Sequence, residues 1–210
     1  MNETAAIALA TFFATISPLN VAAVFASLTT NTAQSFRRAM AIRGALIAAG
    51  ILIVFALVGE TLLTSLGISL AALRTSGGIL LLLIGIEMVF VRSSGGTSTT
   101  VDEEQEAAGK HDISVFPLAT PMMAGPGTMG AVILLMANTQ GDIGLQAIVI
   151  GSLLVVILVT FMALLLATQI QKVLGVTGMQ VISRVMGVLL SALAVQFIFD
   201  GIKQSGLFGS

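Results

Sequence analysis

The chain has 210 residues, of which 56% are hydrophobic and 9% charged, with a mean hydropathy of +1.06 and a net charge of −1. A soluble domain of this size carries about a quarter charged residues, so a water-soluble fold is excluded and lipid is the solvent. Cysteine is absent, which removes disulfide frameworks and thiolate metal sites, and no basic, aromatic-interleaved run points to nucleic acid.

The N-terminus "MNETAAIALA" has neither a basic n-region nor a convincing cleavage site, and reads as the start of a retained span. A membrane helix needs about 20 mostly apolar residues, and six segments qualify. The first, Ala5–Leu28, is interrupted in its middle by "TISPLN", where Ser17, Pro18 and Asn20 stand in place of apolar residues. The second and third, Ala39–Leu63 and Leu70–Val91, are uninterrupted. Next comes "RSSGGTSTTVDEEQEAAGKHD", residues 92–112, Ser/Thr/Gly-rich and then acidic, a composition expected of a solvated linker. Its lone His111 is expected to be solvated rather than a ligand. The fourth segment, Ile113–Ala137, carries "PLATPMMAGPGT" with Pro117, Pro121 and Pro126. The fifth and sixth are Leu145–Ala167 and Met179–Ile202.

Basic residues set the orientation. With the first loop cytoplasmic, that side collects Arg37, Arg38, Arg43, Arg92, Lys110, Lys172 and Arg184, against Arg74 and Lys203 on the other. Both termini then face away from the cytoplasm.

The chain divides into residues 1–92, a polar linker 93–112, and residues 113–210. A shift of 108 superimposes Pro18 on Pro126 and Leu66-Gly67 on Leu174-Gly175; a shift of 109 matches Gly78 with Gly187 and Phe90 with Phe199. Three spans per half force the second half to enter the membrane upside down, the inverted-repeat plan of many secondary transporters. The expected fold is therefore an all-α integral membrane protein of six transmembrane helices, an inverted repeat of three plus three. Its first and fourth helices are broken near the bilayer midplane, because proline removes an N–H and clashes one turn back. One proline kink often only shapes packing. Paired breaks are different: freed backbone groups are tolerated at depth only inside protein or beside a polar cavity.

The "SPLN" of the first span, the "PLATPMMAGPGT" of the fourth and the ending "GVLLSALAVQFIFDGI" at 187–202 resemble the MarC family of bacterial inner-membrane proteins. The resemblance covers the whole chain except the linker. It implies a multi-pass protein of the cytoplasmic membrane, and the family includes neutral-amino-acid transporters, which points to small zwitterions such as glycine or alanine. One position departs: where this family often has Asp or Asn before the first-span proline, this chain has Ser17.

The residues themselves suit a zwitterion. A half-helix starting after each break presents unpaired amides and a positive dipole end to a carboxylate. Leu19 and Asn20 supply such amides in the first half, and Gly127 and Thr128 in the second. Carbonyls freed around Pro18 and Pro126, with Gly125 loosening the chain and the Ser17 hydroxyl beside it, accept from an ammonium. Charged groups within spans are functional suspects. Glu87 lies about 7.5 Å inside its helix end, and its repeat mate is Gln196; the pair are candidates for coupling or gating, with a headgroup-facing glutamate the alternative. Gly77, Gly78, Gly85 and Gly187 read first as packing positions.

No catalytic triad, metal motif or phosphate loop is present. An enzyme is not expected, nor a cofactor beyond a coupling ion, proton or sodium. The expected partners are the bilayer, a small zwitterion and, left open, further copies of the chain. The reading is a secondary transporter for a small neutral solute; the alternatives are an exporter of drugs or metabolites and a non-transporting scaffold or sensor.

Overall fold

A computed structural model describes residues 2–29, 32–90 and 112–206, so the expected linker falls outside the described residues except at Asp112. The described residues fold into helices alone: α1 (Asn2–Ile16), α2 (Pro18–Leu28), α3 (Gln34–Ser65), α4 (Leu70–Phe90), α5 (Ser114–Met123), α6 (Pro126–Ala137), α7 (Ile143–Leu165) and α8 (Ala167–Gln204). Among the described residues, five stretches are long and apolar enough to cross a membrane: Asn2–Leu28, Gln34–Leu63, Ala71–Phe90, Ile143–Leu165 and Gln180–Gln204. The α5–α6 pair, bent by 53°, makes a sixth when counted as one span.

The helices are apolar on all sides, the pattern of membrane spans. Leu57, Leu83, Leu158, Leu189 and Phe199 stay exposed on their outer faces, as lipid contact requires. Several hydroxyls within spans bond back one turn, as Thr15 Oγ1 to the Thr11 carbonyl (2.9 Å) and Thr160 Oγ1 to the Val156 carbonyl (2.8 Å). The core is built from α1, α2 and the α5–α6 pair, with Phe12, Ile16, Phe25, Met123 and Leu134 fully buried.

The α4 and α8 helices run antiparallel and touch backbone to backbone through small residues. A Cβ on Gly187 would stand 2.7 Å from the Gly85 carbonyl oxygen, and one on Gly78 would stand 2.8 Å from that of Ala194. Lipid tails are as apolar as leucine, so close van der Waals contact supplies most of the attraction between such helices. These glycines are packing residues.

Two turns depend on glycine for another reason. Gly67, between α3 and α4, and Gly175, within α8, have φ of +71° and +57°, a region that a Cβ disfavours. Gly175 divides α8 into a short leading helix and the span proper; that leading helix falls between the expected fifth and sixth spans from Thr168 onward, where Thr168, Gln169 and Lys172 break the apolar run.

Polar residues tie the span ends together. Asp142 caps α7 by accepting from the Leu145 N–H at 3.0 Å. Arg74 Nε donates to Asn138 Oδ1 (2.6 Å) and its Nη1 to Gln204 Oε1 (2.8 Å), joining the start of α4 to the ends of α6 and α8. At the opposite end of the bundle, Arg43 Nη1 on α3 pairs with Asp112 Oδ2 at 3.0 Å.

Candidate functional site

Between α1 and α2 the chain turns on Ser17, whose φ of 49° and ψ of 68° lie in the left-handed region. Proline cannot continue the helix ladder, so it opens a new helix at the first position, where its missing N–H costs nothing. The Ser17 N–H still reaches the Phe13 carbonyl (3.0 Å), and the Ser17 carbonyl accepts from Val21 (3.1 Å). The Ser17 hydroxyl makes no capping bond. Leu19 and Asn20 occupy the first turn of α2, where amides lack an acceptor one turn back; both are half-buried, and Pro18 is buried.

The second interruption is longer than the sequence suggested. In α5, Phe116 (φ −127°, ψ 125°) and Thr120 (φ −133°, ψ 124°) are extended, as residues preceding proline prefer. The peptide bonds Phe116–Pro117 and Thr120–Pro121 are cis. The turns that enclose them are wide: Leu118 N–H bonds the Ile113 carbonyl at 3.2 Å and Ala124 N–H that of Ala119 at 2.8 Å, each five residues back. Gly125 is extended, Pro126 is the first residue of α6, and Met129 N–H closes its first turn on the Gly125 carbonyl (3.0 Å). Gly125, Gly127 and Thr128 are buried, whereas Pro126 is exposed. A side chain at Gly127 would collide with Ile84.

The two interrupted segments pack on each other: α1 lies against α6, and α2 against α5. The turn of α4 from Ile84 to Met88 packs on the second break and is linked to the first through Ser183. Ile84 covers Gly127. Ser183 on α8 donates to the Met88 carbonyl (3.5 Å) and accepts from Asn20 Nδ2 (3.4 Å); both are long bonds near the limit of useful strength. Glu87 lies on this same turn, half-buried, with its Oε2 shut off from the surface.

Gln196 is not brought to this place. It is exposed and donates through Nε2 to Asp200 Oδ1 at 3.0 Å, one turn along its own helix. Ser183 and Thr11 were not anticipated; Thr11 Oγ1 is fully buried with no hydrogen-bond partner. A serine or threonine in an apolar run gives no signal of which face it occupies, so neither was readable beforehand.

A cavity of about 570 Å³ lies elsewhere, at the end of the bundle where α2 turns into α3 and α7 joins α8. It is lined by Phe25, Thr32, Arg37, Arg38, Thr168 and Gln169 among others, and by none of the residues at the two breaks. Arg37 and Arg38 had entered the sequence reading only as topology signals. Outside the spans, hydrogen bonds from Ser114, and then from Arg43, hold the Asp112 carboxyl below the ordinary aspartate range. No group of His, Asp or Glu among the described residues is arranged to hold a metal ion.

The chain matches the family described as "MarC family integral membrane protein" across residues 3–205. It is 36% identical over 198 residues to a UPF0056 membrane protein of Methanocaldococcus jannaschii, covering 94% of this chain and 95% of that one. The UPF0056 membrane protein YvbG of Bacillus subtilis is 35% identical over 196 residues, 93% and 92% of the two chains. YhcE of Escherichia coli, likewise described as a UPF0056 membrane protein, is 33% identical over 196 residues, 93% and 89%. No solved structure matches the chain.

Proposed function

The chain belongs to the MarC family of integral membrane proteins, and from that premise we propose that it is a secondary transporter of a small neutral solute, an amino acid such as glycine or alanine, working by alternating access in the cytoplasmic membrane with both termini outside. The observation that carries the proposal is that two proline-opened, interrupted segments lie against each other. A scaffold has no use for two interruptions at depth.

An inverted repeat of three plus three spans accounts for how they meet. Exchanging the halves by a shift of 109 turns the Gly78–Ala194 contact into the Gly187–Gly85 contact. Repeat-matched Gly67 and Gly175 share a positive φ, and repeat-matched Pro18 and Pro126 each open a helix. α3 packs on α5 and α6 as α7 packs on α1 and α2.

The substrate carboxylate faces the first-turn amides of α2 and α6, Leu19 and Asn20 on one side and Gly127 and Thr128 on the other, at the positive ends of both helices. The ammonium faces the Ser17 hydroxyl and the carbonyls around Pro18, Gly125 and Pro126. Glu87, on the α4 turn that covers Gly127 and reaches Asn20 through Ser183, carries the coupling proton; Gln196, its repeat mate, cannot. Rocking one repeat against the other then opens the site to each side in turn.

Counterflow in proteoliposomes tests the reading. Vesicles loaded with unlabelled alanine should transiently concentrate labelled glycine or alanine, and empty vesicles should not. Exchange of amphipathic drugs with no exchange of either amino acid would replace this reading with the exporter.

A further inference from the structure

The cavity at the α2–α3 and α7–α8 junctions belongs to no part of the transport site, and its chemistry is specific. Its volume of about 570 Å³ falls in the range of small-ligand sites, roughly 300–1,000 Å³. The floor is apolar, from the buried Phe25 and Leu164. Two guanidiniums, Arg37 and Arg38, stand on the wall, with the neutral donors Thr32, Gln34, Thr168 and Gln169 around them, and no acid among the described residues lines it. Arg37 is half-buried and held over the Phe25 ring at 5.8 Å, a cation–π arrangement that leaves its N–H edge free to donate. Among the described residues no carboxylate neutralises either arginine. The first turns of α3 and α8 also line the cavity and add their positive ends.

Two adjacent forks with several neutral donors match an oxyanion with three or four acceptor oxygens better than a two-oxygen carboxylate. The cavity sits at the ends of apolar spans, where basic pockets between helices meet lipid headgroups. The exposed Leu165 and Leu166 beside it offer a path for an acyl chain. We propose that this pocket binds a phosphate oxyanion, carried by the headgroup of an anionic phospholipid or present as free phosphate, with Arg37 and Arg38 as the clamp.

Native mass spectrometry of the full chain, titrated with phosphatidylglycerol, phosphatidylcholine of the same acyl chains, or inorganic phosphate, tests it. Wild type should retain phosphatidylglycerol about tenfold better than phosphatidylcholine, on the strength of two charge-assisted contacts. Arg37→Gln with Arg38→Gln should abolish the preference, and Arg184→Gln, outside the pocket, should keep it. Retention of phosphate by wild type alone, without any lipid preference, assigns the site to the free anion. Should the double variant fail to fold, competition on wild type decides: millimolar phosphate should displace phosphatidylglycerol. If phosphate neither binds nor competes and the two lipids bind alike, the proposal is overturned.

Discussion

Gly187→Ala is the sharpest perturbation of the α4–α8 seam. The new Cβ would stand 2.7 Å from the Gly85 carbonyl oxygen, 2.8 Å from Met88 Cβ and 2.9 Å from the Val89 nitrogen. None of these atoms sits on a rotatable side-chain end, so the helices themselves must part by several tenths of an ångström. Overpacking of this kind costs about 1–3 kcal/mol, partly offset by the 0.5–1 kcal/mol, roughly, that alanine gains over glycine in a helix. Gly50→Ala on α3 and Gly151→Ala on α7 meet nothing within 4 Å and should keep that gain undiminished. The expected separation between Gly187→Ala and these controls is about 1–3 kcal/mol. The chain has neither Trp nor Tyr, so unfolding in an SDS titration from mild detergent is best followed by circular dichroism. Equal midpoints for Gly187→Ala and Gly151→Ala would refute the backbone-contact account of the seam.

Gly78→Ala, which meets the Ala194 oxygen at 2.8 Å and the Ile198 nitrogen at 3.0 Å, should destabilise as Gly187→Ala does if the halves are repeats; a neutral outcome in the same titration would separate them. Glu87→Gln should fold and support counterflow yet lose accumulation driven by a pH gradient; surviving accumulation removes Glu87 as the coupling residue. Asp112 has a depressed carboxyl, so its stabilisation is present above the unfolded value near 3.9 and is lost as pH falls through the folded one. For so exposed a pair, 59% and 40%, that is about 0.2–1 kcal/mol. Thermal melts should therefore show Asp112→Asn less stable than wild type at pH 6 and equal to it near pH 2. Reporter fusions should place the linker in the cytoplasm and the C-terminus outside; a cytoplasmic C-terminus overturns the orientation.

How far the sequence could be read follows from which residues carry their own geometry. Proline does, so the helix starts at Pro18 and Pro126 were legible, as were the glycine-bearing packing faces. Serine does not: nothing in "TISPLN" announced that Ser17 would take a left-handed backbone. Extended residues at Phe116 and Thr120 make α5 irregular along most of its length, because each proline acts on its predecessor, whereas the sequence reading concentrated the break at Gly125–Thr128. Contacts made across the chain were beyond reach. The Asn20–Ser183 bond and the arginine-lined cavity exist only because α2 and α3 come to lie beside α7 and α8, and composition carries no record of such neighbours.

The central claim is that the two breaks form one substrate site. Glycine or alanine binding to the purified protein, measured by calorimetry for wild type, Ser17→Ala, Thr128→Pro (which removes the first-turn amide) and the double variant, tests it most directly. Residues that share a ligand couple by about 0.5–3 kcal/mol, whereas independent sites add within roughly 0.3–0.5. The account predicts that each single variant weakens binding and that the double variant departs from additivity by at least about 0.5 kcal/mol. Strictly additive losses, or variants that bind both amino acids as wild type does, would contradict it.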